Sequence, residues 1–124
     1  MAINQRRSLK KETGATYSRD RKKRKVELGR PASLTKIGEN KVKKIRTIGG
    51  NSKSRALQYS NVTVMDGKKK IVAKIIRVVE NVSNRHYVRM NVMTKGAIVE
   101  TDKGKVKITS RPGQQGQIQG VLVK

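Results

Sequence analysis

The side chains able to do chemistry in this chain of 124 residues are overwhelmingly cationic, and their crowding suits phosphate neutralisation rather than bond breaking. Arg6, Arg7, Lys10, Lys11, Arg19, Arg21, Lys22, Lys23, Arg24 and Lys25 fill the first 25 residues against only Glu12 and Asp20, a net +8. Lys and Arg at such density neutralise phosphates and release counterions, which gives affinity without reading a base sequence. Arg adds bidentate phosphate contacts and stacking on bases. The same segment has little apolar surface to offset the entropy of ordering, and it repels itself in water. It is therefore expected to be disordered when free and to take its structure from a long, negatively charged partner.

Groups suited to catalysis or metal binding are sparse. His86 is the only histidine, placed between Arg85 and Tyr87, and the nearest acids in sequence are Glu80 and Glu100. Without His, Cys or carboxylate company it reads as an exposed strand-end residue that touches RNA rather than as a ligand or base. Asp20, Glu27, Glu39, Asp66, Glu80, Glu100, Asp102 and Glu12 are scattered among basic residues and turns, so they read as local charge balance, with no acid–base couple. No catalytic residue, metal site or cofactor is expected. No glycine run forms a P-loop or a strand-borne dinucleotide fingerprint. Gly49-Gly50, followed by Asn51, Lys53 and Arg55, fits either a plain turn or a loop whose backbone approaches a phosphate closely.

The whole chain shares the basic balance. It carries 31 Lys and Arg against 8 Asp and Glu, a net charge of +23 and a pI near 11.1, which is the electrostatic footprint of nucleic-acid binding. Residues 1–50 contribute +12 and residues 51–124 contribute +11, so the structured part is basic too. Cysteine is absent, which excludes disulfides and Cys-ligated metal and fits a reducing compartment. No apolar run approaches the roughly 18 residues of a membrane span, and the N-terminus lacks the apolar core of a secretory signal. With no Trp, no Phe and only Tyr17, Tyr59 and Tyr87, a stacking platform for single strands is also excluded. Folded, double-helical RNA or DNA recognised by shape and charge is the partner that composition favours.

The elements that must carry these cations follow from the turn signals. Residues 1–41 read as a basic extension, broken by Gly29-Arg30-Pro31 and by Gly38 and Asn40, with room for a short helical turn near Arg19–Leu28. Residues 42–124 read as a β-barrel domain. Candidate strands are Lys43–Ile48, Arg55–Tyr59 and Val62–Met65, the last two readable either as two strands or as one bent strand; Asp66-Gly67 marks a hairpin turn. Ile71–Glu80 is the longest run. Ile71, Ala73, Ile75 and Val79 share one face and Val72, Ile76 and Val78 the other, which predicts a central strand covered on both faces. Tyr87–Met93, Ala97–Thr101, Lys105–Thr109 and Gln117–Val123 complete the set, with Ser110–Gly116 preceding the last strand as a loop. The fold class is all-β: a small antiparallel barrel of about six strands with a long basic N-terminal extension.

Particular residues carry a resemblance. Lys22–Gly38 reads KKRKVELGRPASLTKIG, Val42–Leu57 reads VKKIRTIGGNSKSRAL, and Ser110–Gly116 reads SRPGQQG. Together these closely resemble the archaeal and eukaryotic small-subunit ribosomal protein family numbered eight in the "e" series. The resemblance implies a β-barrel body with a basic extension, no enzymatic activity, and residence in the cytoplasmic ribosome. The implied partners are small-subunit ribosomal RNA and neighbouring small-subunit ribosomal proteins, with no membrane and no small-molecule substrate. Eukaryotic members carry a long, largely helical insertion before the SRPGQ motif. Here Lys103–Thr109 runs straight into Ser110, which points to the compact archaeal form. Matching motif to motif, the resemblance assigns Lys22–Lys25, Arg30, Lys36, Arg46, Lys53, Arg55 and Arg111 to RNA. Lys43 and Lys44, together with the cations of the arm, complete the candidate RNA-binding set. A DNA-packaging protein and a small RNA-modifying or RNA-cleaving barrel are the rival readings.

Overall fold

The computed structural model describes residues 4–67 and 69–123, and expectations for residues 1–3, Lys68 and Lys124 lie outside them. The chain divides into two compact units, Met1–Ala32 and Ser33–Lys124.

In the second unit a closed barrel is built from β4 (Asn61–Asp66), β5 (Lys69–Glu80), β6 (Ile98–Thr101), β7 (Gly104–Ile108) and β8 (Gln119–Leu122), in that order around the wall. Consecutive strands pair antiparallel, and the ring is closed by a parallel pairing of β4 with β8, Val64 opposite Gly120. Alternation sends Val62, Val64, Ala73, Ile75, Val99, Val106 and Ile108 inward, where Met93, Ala97 and Ile118 join them. A five-stranded ring is narrow, and small or β-branched residues fill it. Gly120 shows how tight the wall is. A Cβ there would come within 2.4 Å of Val106 Cγ1 and 2.7 Å of the Lys107 carbonyl oxygen.

The long strand departs from its expected pattern. Val72 and Ile76 are exposed, so β5 is covered on one face only, in contrast to the two-faced burial that its composition predicts. The buried set runs Ala73, Ile75, then Val78 rather than Val79. The cause is a register shift against β6. Ile75 faces Thr101, but Arg77 faces Glu100, so one extra residue on β5 turns the following side chains to the opposite face. Arg77 accordingly lies outside and pairs with Glu100.

Outside the barrel, β1 (Lys36–Ile37), β2 (Lys41–Arg46) and β3 (Ser52–Tyr59) form a second sheet, with β3 between the other two. β3 and β4 are separate strands joined at Ser60. Strand pairing begins at Lys36, inside the segment assigned to the extension.

Residues 87–93 are not a strand. α1 (His86–Arg89) is a single helical turn. Asn91 adopts φ 51°, and its N–H donates to Val88 while the Val92 N–H donates to Tyr87 at 2.9 Å. These two bonds are the Schellman closure, with Asn taking the left-handed position. The alternation of Val88, Met90 and Val92 imitates a strand, but one local polar contact and one to β5 decide otherwise. Asn84 Oδ1 accepts from the His86 N–H at 2.9 Å, and Asn91 Oδ1 accepts from the Val78 N–H at 3.2 Å.

The expected loop at Ser110–Gly116 contains a second one-turn helix, α2 (Pro112–Gln115), with Pro at its first position and left-handed Gly116 closing it. Buried Ser110 holds its base: its Oγ donates to the Gln117 carbonyl at 3.2 Å and accepts from the Gln119 N–H at 2.9 Å.

Candidate nucleic-acid interface

The SRPGQQG segment and the GGN segment meet in the second unit. α2 seats on β3, where Gln115 bridges Ser54. The contact is close enough that a Cβ on Gly116 would lie 2.6 Å from Ser54 Cβ and 3.1 Å from Val42 Cγ1. Glycine is required there twice over, by its φ of 73° and by this approach.

That packing gives the β2–β3 hairpin two distinct faces. Lys43 stands directly opposite Arg55, and Ile45 opposite Lys53, so Lys43, Lys53 and Arg55 share one face. Lys44 opposite Ser54 and Arg46 opposite Ser52 lie on the other, the face on which α2 sits with Arg111 at its N-terminal end. Both faces are therefore basic, and Lys43, Lys44, Arg46, Lys53 and Arg111 are all exposed. Like charges directly opposed on neighbouring strands work against pairing.

The hairpin tip is a turn in its own right. Gly49 and Gly50 have φ of 76° and 77°, and the Thr47 N–H donates to the Asn51 carbonyl at 2.7 Å. These left-handed conformations account for both glycines without a ligand. Ile48 at the same tip is 96% exposed. Lys36 lies toward the opposite end of β3, opposite Gln58, and is likewise exposed.

The remaining candidates belong to the first unit, which folds back on itself where an extended arm is expected. Asn4 bridges Leu28, and a small hairpin forms around Gly14, with Lys10 bridging Thr16 and the Tyr17 N–H donating to Leu9 at 2.8 Å. Charged contacts do the work that apolar burial does in the barrel. Arg6 grips Asp20 with two bonds of 2.7 and 2.8 Å. Arg21 bonds Glu27. Arg7 and Lys11 lie over the Tyr17 ring, 4.4 and 5.0 Å from its centroid. The Arg6 guanidinium holds the Asp20 carboxyl well below the usual carboxylate range and is itself pushed up in return. The Arg24 N–H, with Arg21 behind it, holds Glu27 down. The 3₁₀ turn Lys25–Glu27 falls within the stretch where a helical turn is allowed for. Lys10, Arg19, Lys22, Lys23, Arg24, Lys25 and Arg30 are exposed.

Sequence reasoning missed the roles of Asp20 and Glu27 as the acids that organise this unit. Their signal is positional, since these two acids flank one arginine-rich run and act on both Arg6 and Arg21. Among the described residues no group of His, Cys, Asp or Glu could hold a metal ion, and no helix is long and apolar enough to cross a membrane.

The family model described as ribosomal protein S8e matches residues 4–123. The chain is similar to three archaeal proteins named small ribosomal subunit protein eS8. That of Nanoarchaeum equitans is 54% identical over 114 residues, covering 90% of each chain. That of Methanobrevibacter smithii is 46% identical, covering 99% of this chain and 100% of the relative. That of Haloarcula marismortui is 44% identical over 98% of both.

Proposed function

The chain belongs to the ribosomal protein S8e family, whose members are structural ribosomal proteins rather than enzymes, and on that premise we propose that it binds and stabilises folded small-subunit ribosomal RNA by phosphate neutralisation. It is a small-subunit ribosomal protein, at home in the cytoplasmic ribosome and contributing to translation. Neighbouring small-subunit proteins are its further partners.

The observation that carries the RNA reading is the two-faced basic hairpin. Lys43 against Arg55 on one side, and Lys44, Arg46 and the α2 turn bearing Arg111 on the other, offer cations in opposite directions from a single thin element. A hairpin of this kind fits between two phosphate backbones. Phosphate contact demands charge and reach rather than base-edge chemistry, and the scarcity of aromatics agrees with that. The arm cations Arg6, Arg7, Lys10, Lys11, Arg19 and Arg21–Lys25, with Arg30 and Lys36, supply further phosphate contacts, so residues 1–41 act as the RNA-binding extension of a barrel domain at 42–124.

The test is the salt dependence of binding to a small-subunit ribosomal RNA fragment. Each neutralised phosphate contributes a log–log slope of about −0.9 on a double helix. Substituting Lys43, Lys53 and Arg55 together with Ala flattens the slope by roughly 2 to 3 units if all three contact phosphate, while the thermal midpoint stays near that of the parent protein. An unchanged slope, or equal binding to duplex DNA of the same length, overturns the reading.

A further inference from the structure

The outer wall of the barrel carries an apolar patch that phosphate contact does not use. Met65 on β4 stands beside Val121 on β8, and Val72 on β5 lies one diagonal step away, opposite Thr63. Val123 follows Val121 on the same face, its N–H donating to the Lys105 carbonyl at 2.9 Å. All four side chains are between 41% and 58% exposed. Outward positions on an antiparallel wall with one solvated face are ordinarily polar. Strand propensity favours valine there but gives no reason for methionine. Lysines flank the patch across the strands. Lys70 faces Met65, and Lys107 lies between Val121 and Ile98, so neither has an acid opposite it. Neither belongs to an ion pair among the described residues. Glu100, opposite Lys105, is already held by Arg77.

We propose that this patch docks a neighbouring small-subunit protein through a segment that is apolar at its centre and acidic on both sides. A contiguous apolar area with a polar border marks an interaction site, and an apolar core with a polar rim is the anatomy of a protein interface. Lys70 and Lys107, on opposite sides of the Met65 and Val121 pair, select the partner's charge and fix its register. A phosphate backbone would meet the lysines and leave the apolar centre uncovered. A second copy of this chain, itself at +23, would set lysine against lysine. Met65, Val72 and Val121 lie on strands of the closed ring rather than on a loop, so the site keeps its shape before the partner arrives. The proposal rests on the small-subunit reading above and deepens it, since it names the face that meets protein and the chemistry that protein must offer.

The experiment compares the free full-length protein with assembled small subunits. Met65 is its built-in probe, since hydrogen peroxide converts an exposed thioether to the sulfoxide and mass spectrometry reads the rate. The expected result is at least tenfold slower oxidation of Met65 in the subunit than in the free chain. A benzophenone photocrosslinker in place of Val121 then identifies the occupant, and one in place of Lys44 on the β2–β3 hairpin serves as the RNA control. The expected crosslink from position 121 is to a ribosomal protein, at an apolar residue with Asp or Glu on both sides, and that from position 44 is to ribosomal RNA. Neutralising the rim with Lys70→Gln and Lys107→Gln speeds Met65 oxidation in the subunit at least threefold and leaves the barrel's thermal midpoint in place, because both side chains are exposed. The proposal is overturned by Met65 oxidation at the free rate in the subunit, or by unchanged protection in the lysine variant. It is equally overturned by a crosslink from position 121 to ribosomal RNA, to residues 1–32 of the same chain, or to a protein segment without acids. The oxidation arm reads the unmodified chain, so failure of a labelled or substituted protein to assemble leaves it in force. Any of these failures with the position 44 crosslink on ribosomal RNA sinks the patch alone. A protein crosslink from position 121 with no ribosomal RNA crosslink from position 44 sinks the RNA reading instead.

Discussion

The two units of this protein hold themselves together by opposite means. In Ser33–Lys124 the barrel interior is Val, Ile, Ala and Met, the buried polar side chains among the described residues are Thr35, Asn81, Thr101 and Ser110, and none of the described buried side chains is ionisable. In Met1–Ala32 no described residue is buried, and order comes from Arg6–Asp20, Arg21–Glu27 and the cations over Tyr17. Apolar burial is non-directional and scales with area. Exposed ion pairs are weak, geometric and sensitive to pH and salt. The first kind suits a scaffold that must keep its shape alone, whereas the second suits a segment whose contacts are to be rewritten when a polyanion competes for its arginines.

The sharpest separation comes from the barrel core. Ile75 is 3% exposed within the cluster, so Ile75→Ala costs about 2–5 kcal/mol through lost burial and the cavity left behind. Denaturant unfolding monitored on the barrel measures this. A cost under 1 kcal/mol would mean that the ring is not packed as described.

Next in size is the α2 seat. Gly116→Ala combines left-handed strain with a Cβ at 2.6 Å from Ser54 Cβ, for a loss of about 1–3 kcal/mol. The same unfolding measurement applies. A neutral outcome would show that α2 lifts off β3 freely, and the two-faced geometry of the hairpin would lose its support.

Acidification divides the units differently. Asp20 and Glu27 have lowered pKa values, so their stabilisation is fully present above the ordinary carboxylate range near about 4. It is lost as pH falls through their depressed folded values. As pH falls below about 4, hydrogen-exchange protection should fade at the Gln5 and Tyr17 amides, which donate to the Glu27 and Leu9 carbonyls. The Ile108 amide, bonded to Ala97 inside the barrel, keeps its protection. Simultaneous loss at all three amides would erase the distinction drawn between the units.

The smallest effect is at the ring. Tyr17→Ala removes two exposed cation–π contacts, about 0.5–1 kcal/mol each at most, and is read as faster exchange at the residue 17 amide with an unchanged barrel midpoint.

Much of the barrel was legible because turns announce themselves chemically. Asp66-Gly67 and Asp102-Lys103-Gly104 each stand between paired strands, with Gly67 and Gly104 at positive φ. The long strand was found from its apolar run, but its faces were misassigned after Ile75. A bulge belongs to the pairing with β6 and leaves no mark in the residues of β5 alone. α1 was read as a strand because Val88, Met90 and Val92 alternate, while the Asn84 side chain that starts the turn and the Asn91 side chain that ties it to β5 act through geometry. The order of Met1–Ala32 was missed because a net +8 over 25 residues argues against compaction, and whether two carboxylates suffice depends on where they fall in space.

Local chemistry written along the chain determined the charge, the turn positions, the apolar set of the core and the membership of the family. Each depends on residue type and short-range spacing, which any conformation preserves. Tertiary structure alone decided that the ring closes with β4 parallel to β8, that Lys43 and Arg55 share a face while Lys44 and Arg46 share the other, and that Arg21 is left with one donor facing no partner. These are relations between residues distant in sequence, and they exist only once strand register and packing have fixed which side chains point the same way.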